Sequence, residues 1–476
     1  MSVRQQAFIG RGRLRPILAL AAITLAGLLI RLVEIDRWPL WGDEALTLLI
    51  AQWPLNILFF VPIDPTPGLY YALHQLSLGP TVDAAAARSI SVACGALLIP
   101  AAYWLAREAR IPALLAAGLV AVSFPLIDYS QEARAYSLLV LLVTLSAAFF
   151  VRCSRTRRPG ALYGTLLTCL LAFYTHFASV FWIGPAVAAI FWQGRRQVAA
   201  PLLITAILAV PELVRIARYP AQGFIWLAQA TPLQAADTLA KALLPFRPAA
   251  GWLLVAVLLA GWRGWVRRSD IAAWARANGG AAMAIAILAA APLLVWLFGL
   301  ATRPVFMTRT ILIGMPGILL ALALLLKFEP RPVRFAVLAA YAASLLVTGT
   351  TRQKERWDLV AERVGDGAIL LCEPWQVAAM RHVTGSQNRI FIDRDDGLAE
   401  VGGEPWQRAY FAIMSNRERM ADALRSGKAA NPALQPVWPV RSGEILSVSA
   451  VPLTLGQAIA LCDRDQANRR PRYIAD

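Results

Sequence analysis

What most constrains this chain is a succession of apolar runs, each about as long as a helix needs to cross a bilayer, separated by short stretches rich in arginine. A hydrocarbon core takes roughly 17 to 25 apolar residues per helix, and counting runs on that basis gives about eleven spans. They fall at 16–34, 87–106, 111–127, 136–151, 161–175, 177–192, 198–214, 249–265, 279–299, 308–326 and 333–349. With 58% hydrophobic and 16% charged residues among 476, the chain is too apolar for a soluble protein of its size. A mainly α, polytopic membrane protein is the expected class.

A formal net charge of +17 raises the question of a nucleic-acid partner, and the placement of the charge answers it. The arginines gather at Arg4 to Arg15, Arg107 to Arg110, Arg152 to Arg158, Arg195 to Arg196, Arg263 to Arg276 and Lys327 to Arg334, in alternate loops between apolar runs. That is the positive-inside pattern, and it accounts for the basicity without nucleic acid. It puts the N-terminus in the cytoplasm and, with an odd number of spans, the C-terminus outside. The first run lacks a small-residue cleavage site after it and reads as a retained anchor. Three of the five cysteines, Cys94, Cys153 and Cys169, lie in or beside apolar runs, leaving Cys372 and Cys462 together in a polar region, so a disulfide framework is not expected.

Two outer segments interrupt the membrane pattern. The first, about 35–86, is too long for a plain connector and should carry short helices of its own. The second divides the chain: residues 1–350 form the transmembrane part, and 351–476 turn polar. There "ERWDLVAERVG", "PWQVAAMRHV" and "NRERMADALRSG" have helical period, while "AILLCE", "RIFID", "RAYFAIM" and "GEILSVSAV" read as strands. A small extracytoplasmic α/β domain is predicted, without a Gly-rich phosphate loop or paired-cysteine metal spacing.

The first outer segment opens with "WPLWGDEALTLLI", which places Asp43 and Glu44 side by side at the exit of the first span. Neighbours on a helix point about 100° apart, so one acid can face a cavity while the other orients or ligates. An interfacial pair or a helix cap would also explain them. Further on, "DPTPGLYYALH" holds Asp64 in a proline- and glycine-stiffened turn before Tyr70 and Tyr71, which an aromatic belt would equally supply. "DYSQEARAYSLLVLL" puts Arg134 on the outer side against the charge rule, with Glu132 and Tyr136 nearby. "TRPVFMTRTILIGMPG" does the same for Arg303 and Arg309, and "YTHF" adds His176. Snorkelling would account for either arginine alone, and a structural role for the histidine. Together, outer arginines beside a bilayer suit a lipid-linked phosphate.

The ordered set "WGDEA", "DPTPGLYY", "YSQEARAYSLLVLL", "YTHF" and "TRTILIGMPG", followed by "RWDLVAERV", resembles the polytopic GT-C glycosyltransferases. The likeness is to the bacterial branch related to protein O-mannosyltransferases (glycosyltransferase family 39-like) and aminoarabinose transferases. It implies a GT-C-type transmembrane domain and transfer of a hexosyl or pentosyl unit from a polyprenyl-phosphate carrier at the outer face of the inner membrane. The acceptor would be a glycan, a lipid such as lipid A, or a protein. The first-loop acid is implied to lie in the reaction centre. Many relatives carry Asp-x-His-Pro-Pro-Leu-Tyr where this chain has Thr66 at the histidine and Gly68 at the second proline, so a metal role resting on that histidine does not transfer.

On these residues, Asp43 is expected as general base, Asp64 as the group orienting the acceptor or a bound cation, and Glu44 as less directly placed among the catalytic acids. Arg134 and Arg309 would take the departing phosphate, with Arg303 a weaker candidate, and Tyr70, Tyr71, Glu132, Tyr136 and His176 would line the substrate. No cofactor is identified from these residues, and a divalent metal on Asp43 and Asp64 stays open. A lipid-linked oligosaccharide ligase would use the same residue types. A transporter or flippase would call for broken helices in two matching halves, and no such repeat is present. A structural scaffold for the tail would tolerate loss of the acids and arginines together.

Overall fold

The computed structural model describes residues 3–60, 66–78, 83–192, 198–218, 229–243, 259, 261–302 and 304–348. In the last quarter it describes 357, 362, 368–371, 390–394, 397–400, 437–441 and 444–445. Helix α1 (Val3–Leu32) is followed by three short helices, α2 (Gly42–Ala51), α3 (Leu55–Phe60) and α4 (Leu69–Leu78). The bundle continues with α5 (Ala84–Glu108), α6 (Ala113–Ala121), α7 (Phe124–Asp128), α8 (Tyr136–Thr156), α9 (Pro159–Phe173), α10 (Val180–Trp192) and α11 (Ala199–Arg218). It closes with α12 (Pro232–Leu243), α13 (Arg268–Ala277), α14 (Gly279–Ala301), α15 (Thr308–Ile311), α16 (Met315–Lys327) and α17 (Arg331–Thr348). The Asp64 and Arg303 positions lie outside the described residues, as does most of the run expected at 249–265.

Among the described residues, six helices are long and apolar enough to cross a membrane, or seven if the bent α6 and α7 pair is one span. Two shorter apolar helices, Pro159–Phe173 and Phe177–Trp192, add to them. At 1.5 Å per residue the 25 residues of α5 extend about 37 Å, enough for a hydrocarbon core of about 30 Å. Its start is fixed by Asp83, whose Oδ1 accepts the Ala86 N–H at 2.7 Å. α5 packs against α1, α6 and α8, α8 against α9, and α14 against α10 and α16. The buried core is Ala- and Leu-rich and runs through these helices.

The bend between α6 and α7 is 63°, and proline explains it. Pro125 has no N–H to give the carbonyl of Ala121, four residues earlier, so the helical ladder stops there. Arg31 of α1 fills the gap: its Nη1 donates to Ala121 O at 3.2 Å and Gly27 O at 2.9 Å, and its Nη2 to Val120 O at 3.4 Å. Its Nε reaches Ser130 Oγ at 3.2 Å. In return Gln131 Nε2 donates to the carbonyls of Arg31 and Val33 at 3.1 and 2.7 Å, at the C-terminal end of α1. The two segments cap each other, and this crossing requires Gly95 on α5, because a Cβ there would collide with Ser130 Oγ.

The opposite, arginine-rich end is tied by contacts between loops. Arg155 and Arg152 pair with Glu108, the latter at 3.7 Å, and Arg263 pairs with Glu329 at 2.6 Å. Lys327 Nζ and Trp274 Nε1 donate to the carbonyls of Arg110 and Ala109.

Among the described residues of the C-terminal region five strands make one sheet of order β3-β2-β1-β4-β5: β1 (Ala368–Leu371), β2 (Ile390–Arg394), β3 (Gly397–Glu400), β4 (Val437–Arg441) and β5 (Glu444–Ile445). β1 runs parallel to both β2 and β4, while β3 and β5 return antiparallel. Parallel neighbours require crossover connections, so the sheet has an α/β or mixed character. "RAYFAIM" and the tail's helical stretches "PWQVAAMRHV" and "NRERMADALRSG" lie outside the described residues, as does nearly all of "ERWDLVAERVG".

Candidate active site

The site is built where α2, α4, the Tyr129–Ala135 turn before α8, the Tyr174–Ser179 turn after α9, and α15 meet. Asp43 and Glu44 occupy the first turn of α2, where carboxylates are favoured by the helix N-terminus. They point to different partners. Asp43 Oδ2 accepts from Arg309 Nη1 at 2.7 Å, with both side chains about one-fifth exposed. Glu44 is fully enclosed and bound on both oxygens by Arg88, Nε to Oε1 at 2.8 Å and Nη2 to Oε2 at 2.7 Å.

Arg88 is the residue that the sequence reading missed. All five of its N–H donors are used: two on Glu44, the others on the carbonyls of Ile35, Trp38 and Pro39 at 2.6, 3.0 and 3.1 Å. Glu44 Oε1 also accepts the Ala133 N–H at 2.8 Å, and Oε2 the Trp41 N–H at 3.4 Å. One buried ion pair thus joins the exit of α1, the start of α2, α5 and the turn that carries Arg134. Glu44, expected among the reacting acids, is saturated by these contacts and sets the spacing between Asp43 and Arg134. The signal in sequence was an arginine one turn inside an apolar run, which is costly unless it has a job.

Arg134 lies beside Asp43 but reaches its backbone. Nη1 donates to Asp43 O at 3.3 Å, Thr47 Oγ1 at 3.3 Å and Tyr71 OH at 3.5 Å, and Nη2 to Thr66 Oγ1 at 3.3 Å. Thr66, which replaces the histidine of the resembled motif, therefore serves the arginine. Tyr70 is buried behind it: its hydroxyl bonds Ser91 Oγ at 2.7 Å and His74 Nε2 at 3.3 Å, and Ser91 Oγ donates to Arg134 O at 3.0 Å. Tyr70, expected at the substrate, is held in this chain instead. Glu132 is buried at the same turn, its carbonyl accepting the Arg134 N–H at 2.8 Å.

The aromatic wall consists of Tyr129 and Tyr136, edge to face at 5.3 Å, with His176 tilted against Tyr136 at 5.4 Å. His176 Nδ1 accepts the Ala178 N–H at 3.1 Å, so that nitrogen carries no proton. Burial and then the charges of Arg134 and Arg309 push its pKa down to about 3. His74 is likewise pushed down by burial, to about 4. Both imidazoles are neutral at working pH, and His176 can polarise or pack but not carry charge.

Among the described residues no three His, Cys, Asp or Glu side chains gather around a common point. The Asp43 carboxylate faces a guanidinium, an arrangement that does not suit a cation ligand. The set of groups, one carboxylate with an exposed edge flanked by two guanidinium groups and aromatic faces, suits a hydroxyl on one side and an anion on the other.

Comparison with known proteins adds a family context. Residues 67–215 match the family model described as dolichyl-phosphate-mannose-protein mannosyltransferase. No curated protein matches the chain. The fold is similar to that of ArnT from Cupriavidus metallidurans in the apo state, with TM-score 0.56, 12% identity, and coverage of 87% of this chain and 92% of that one. A structure of the same ArnT bound to undecaprenyl phosphate aligns with TM-score 0.47 and 16% identity over 95% of this chain and 77% of that one. The apo oligosaccharyltransferase of Archaeoglobus fulgidus aligns with TM-score 0.42 and 12% identity over 77% and 63%. The chain is a polytopic membrane protein of GT-C fold, similar to apo ArnT over most of its length, and its residues 67–215 match the mannosyltransferase family model.

Proposed function

We propose that this protein is a glycosyltransferase that moves a single hexosyl or pentosyl unit from a polyprenyl-phosphate carrier to an acceptor at the outer face of the cytoplasmic membrane. The observation that carries this reading is the Asp43 carboxylate set between Arg309 and Arg134, at the end of an apolar bundle opposite the arginine-rich loops. The family match over residues 67–215 supports the carrier class.

In the reaction, an acceptor hydroxyl gives its proton to Asp43 as its oxygen bonds to the anomeric carbon. The bond from that carbon to the phosphate oxygen breaks, and the lipid phosphate leaves as an anion held by Arg134 and Arg309. One displacement inverts the anomeric centre. Tyr71, Tyr136 and His176 frame the sugar, while Glu44, Arg88 and Tyr70 hold the reacting groups in place. Asp64 and Arg303 complete the proposed site as acceptor-orienting acid and auxiliary phosphate ligand. Residues 351–476 form the extracytoplasmic domain in this reading, and an oligosaccharide ligase differs from it only in the size of the donor.

The test is transfer from a panel of radiolabelled polyprenyl-phosphate sugars, using membranes that contain the wild type or Asp43→Asn at equal levels. Label should reach an acceptor with the wild type, and the variant should lose at least about a hundredfold, the scale of a general base. Near-normal turnover by Asp43→Asn would remove it as the base. Transfer only from lipid-linked oligosaccharides would favour the ligase.

A further inference from the structure

The two acids of α2 hold two arginines under opposite conditions. Glu44 and Arg88 are sealed, with side chains 0% and 2% exposed, whereas Asp43 and Arg309 are 23% and 21% exposed. Removing a partner from the sealed pair would strand a buried charge. Changing partners in the partly exposed Asp43–Arg309 pair costs less, because solvent or another anion can replace what is lost.

The two arginines of the site differ in the same way. Arg134 is held by oxygens from α2, the Thr66 turn and α4, which together fix its guanidinium. Arg309 sits on the four-residue α15. Its Nε donates to Met307 Sδ at 2.6 Å, a weak acceptor, and its Nη1 makes a charge-assisted bond to Asp43 Oδ2 at 2.7 Å. The same Nη1 that holds Asp43 is a donor that a phosphate at this site would need. A phosphate offers a more highly charged target and two oxygens to one guanidinium fork, against the single Asp43 oxygen now bonded.

We propose that Arg309 changes partners during the cycle: a lipid-linked phosphate takes its guanidinium from Asp43, so that the arriving donor itself releases the carboxylate that must accept the proton. The inference rests on the glycosyl-transfer reading above. While Oδ2 holds the guanidinium N–H the carboxylate is a weaker base; once the cation is drawn away, it takes the proton of an acceptor hydroxyl on its exposed edge more readily. The order of events follows from the geometry, with the donor seated before the base is armed, which also protects the site from activating water prematurely.

The experiment is equilibrium binding of a short-chain polyprenyl monophosphate to the full-length protein in detergent, with the corresponding polyprenol as control. Wild type, Asp43→Asn, Arg309→Gln and the double variant are compared. Asp43→Asn should tighten phosphate binding about tenfold, a typical coupling between competing interactions, because Arg309 no longer has a charged competitor. Arg309→Gln should weaken binding, and in its background Asp43→Asn should gain less than about twofold. Arg309→Met gives the same reading if the glutamine variant does not fold. Simple repulsion between Asp43 and phosphate predicts the opposite coupling, a gain as large or larger without Arg309, and that result would overturn the exchange. So would an Asp43→Asn protein that binds phosphate no better than wild type. Failure of the transfer reading looks different: phosphate and polyprenol then bind alike, or not at all, in all four proteins, and the exchange falls with it.

Discussion

Arg88 shows how one side chain can decide a loop. Three of its donors hold carbonyls of the Ile35–Pro39 exit and two hold Glu44, all in a region closed to water. Lysine could not reproduce a planar fork with five donors, and methionine would leave Glu44 as an unpaired buried carboxylate. Loss of one partner from a buried pair costs roughly 3–5 kcal/mol. We expect Arg88→Met to lower the thermal midpoint sharply and to abolish transfer, and Arg88→Lys to recover stability only in part. Glu44→Gln with Arg88→Met should cost less than the two changes summed, as read from the midpoints of the four proteins in one detergent. Additive costs would mean that the pair is not the joint of the loop. Asp43, Arg134 and Arg309 could be picked out from sequence because an acid at a helix exit and arginines on the wrong side of the charge rule are conspicuous. Arg88 was conspicuous only as a charge inside an apolar run, and its partners, which give it its role, lie 44 to 53 residues away.

At the level of elements, the run at 111–127 reads as one span by hydropathy but is two helices with a 63° bend. Pro125 was visible; what the sequence does not reveal is that the freed Ala121 carbonyl meets Arg31 from a helix about 90 residues earlier. In a bilayer a bare carbonyl has no water to turn to, so the guanidinium is what allows the break to persist. The break in turn lets the chain pass from α7 into the turn that carries Arg134, so Arg31 governs the site from a distance. Arg31→Leu should therefore destabilise the protein by more than an exposed arginine change would, about 1–3 kcal/mol for each group left unsatisfied. Substituting Pro125→Ala in the Arg31→Leu background should restore part of the loss by giving Ala121 its helical donor back. Thermal melts of the single and double variants check this, and a double variant no more stable than Arg31→Leu would show that the carbonyl is not the cause. The short helices α2 and α4 were legible only as a loop too long to be idle, since neither has enough apolar length to announce itself.

Over the whole molecule, two ends of the bundle carry different chemistry. One gathers Asp43, Arg134, Arg309 and the aromatic wall; the other is bound by Glu108 and Glu329 to arginines from several loops. The charge rule predicts a cytoplasmic second end, because basic loops resist translocation, and with it the outer-face site of the proposed function. That assignment is open to direct measurement with exposed positions at each end. Gln52 and Arg157 are both exposed. In intact cells, with Cys372 and Cys462 replaced by serine, a membrane-impermeant maleimide should label Gln52→Cys at once and Arg157→Cys only after permeabilisation. The remaining cysteines, Cys94, Cys153 and Cys169, are buried and should stay silent. Labelling of Arg157→Cys in intact cells, with Gln52→Cys protected, would invert the molecule and place the arginine pair of the site in the cytoplasm. A donor would then have to be taken from the inner leaflet, and the transfer reaction would need a different acceptor class.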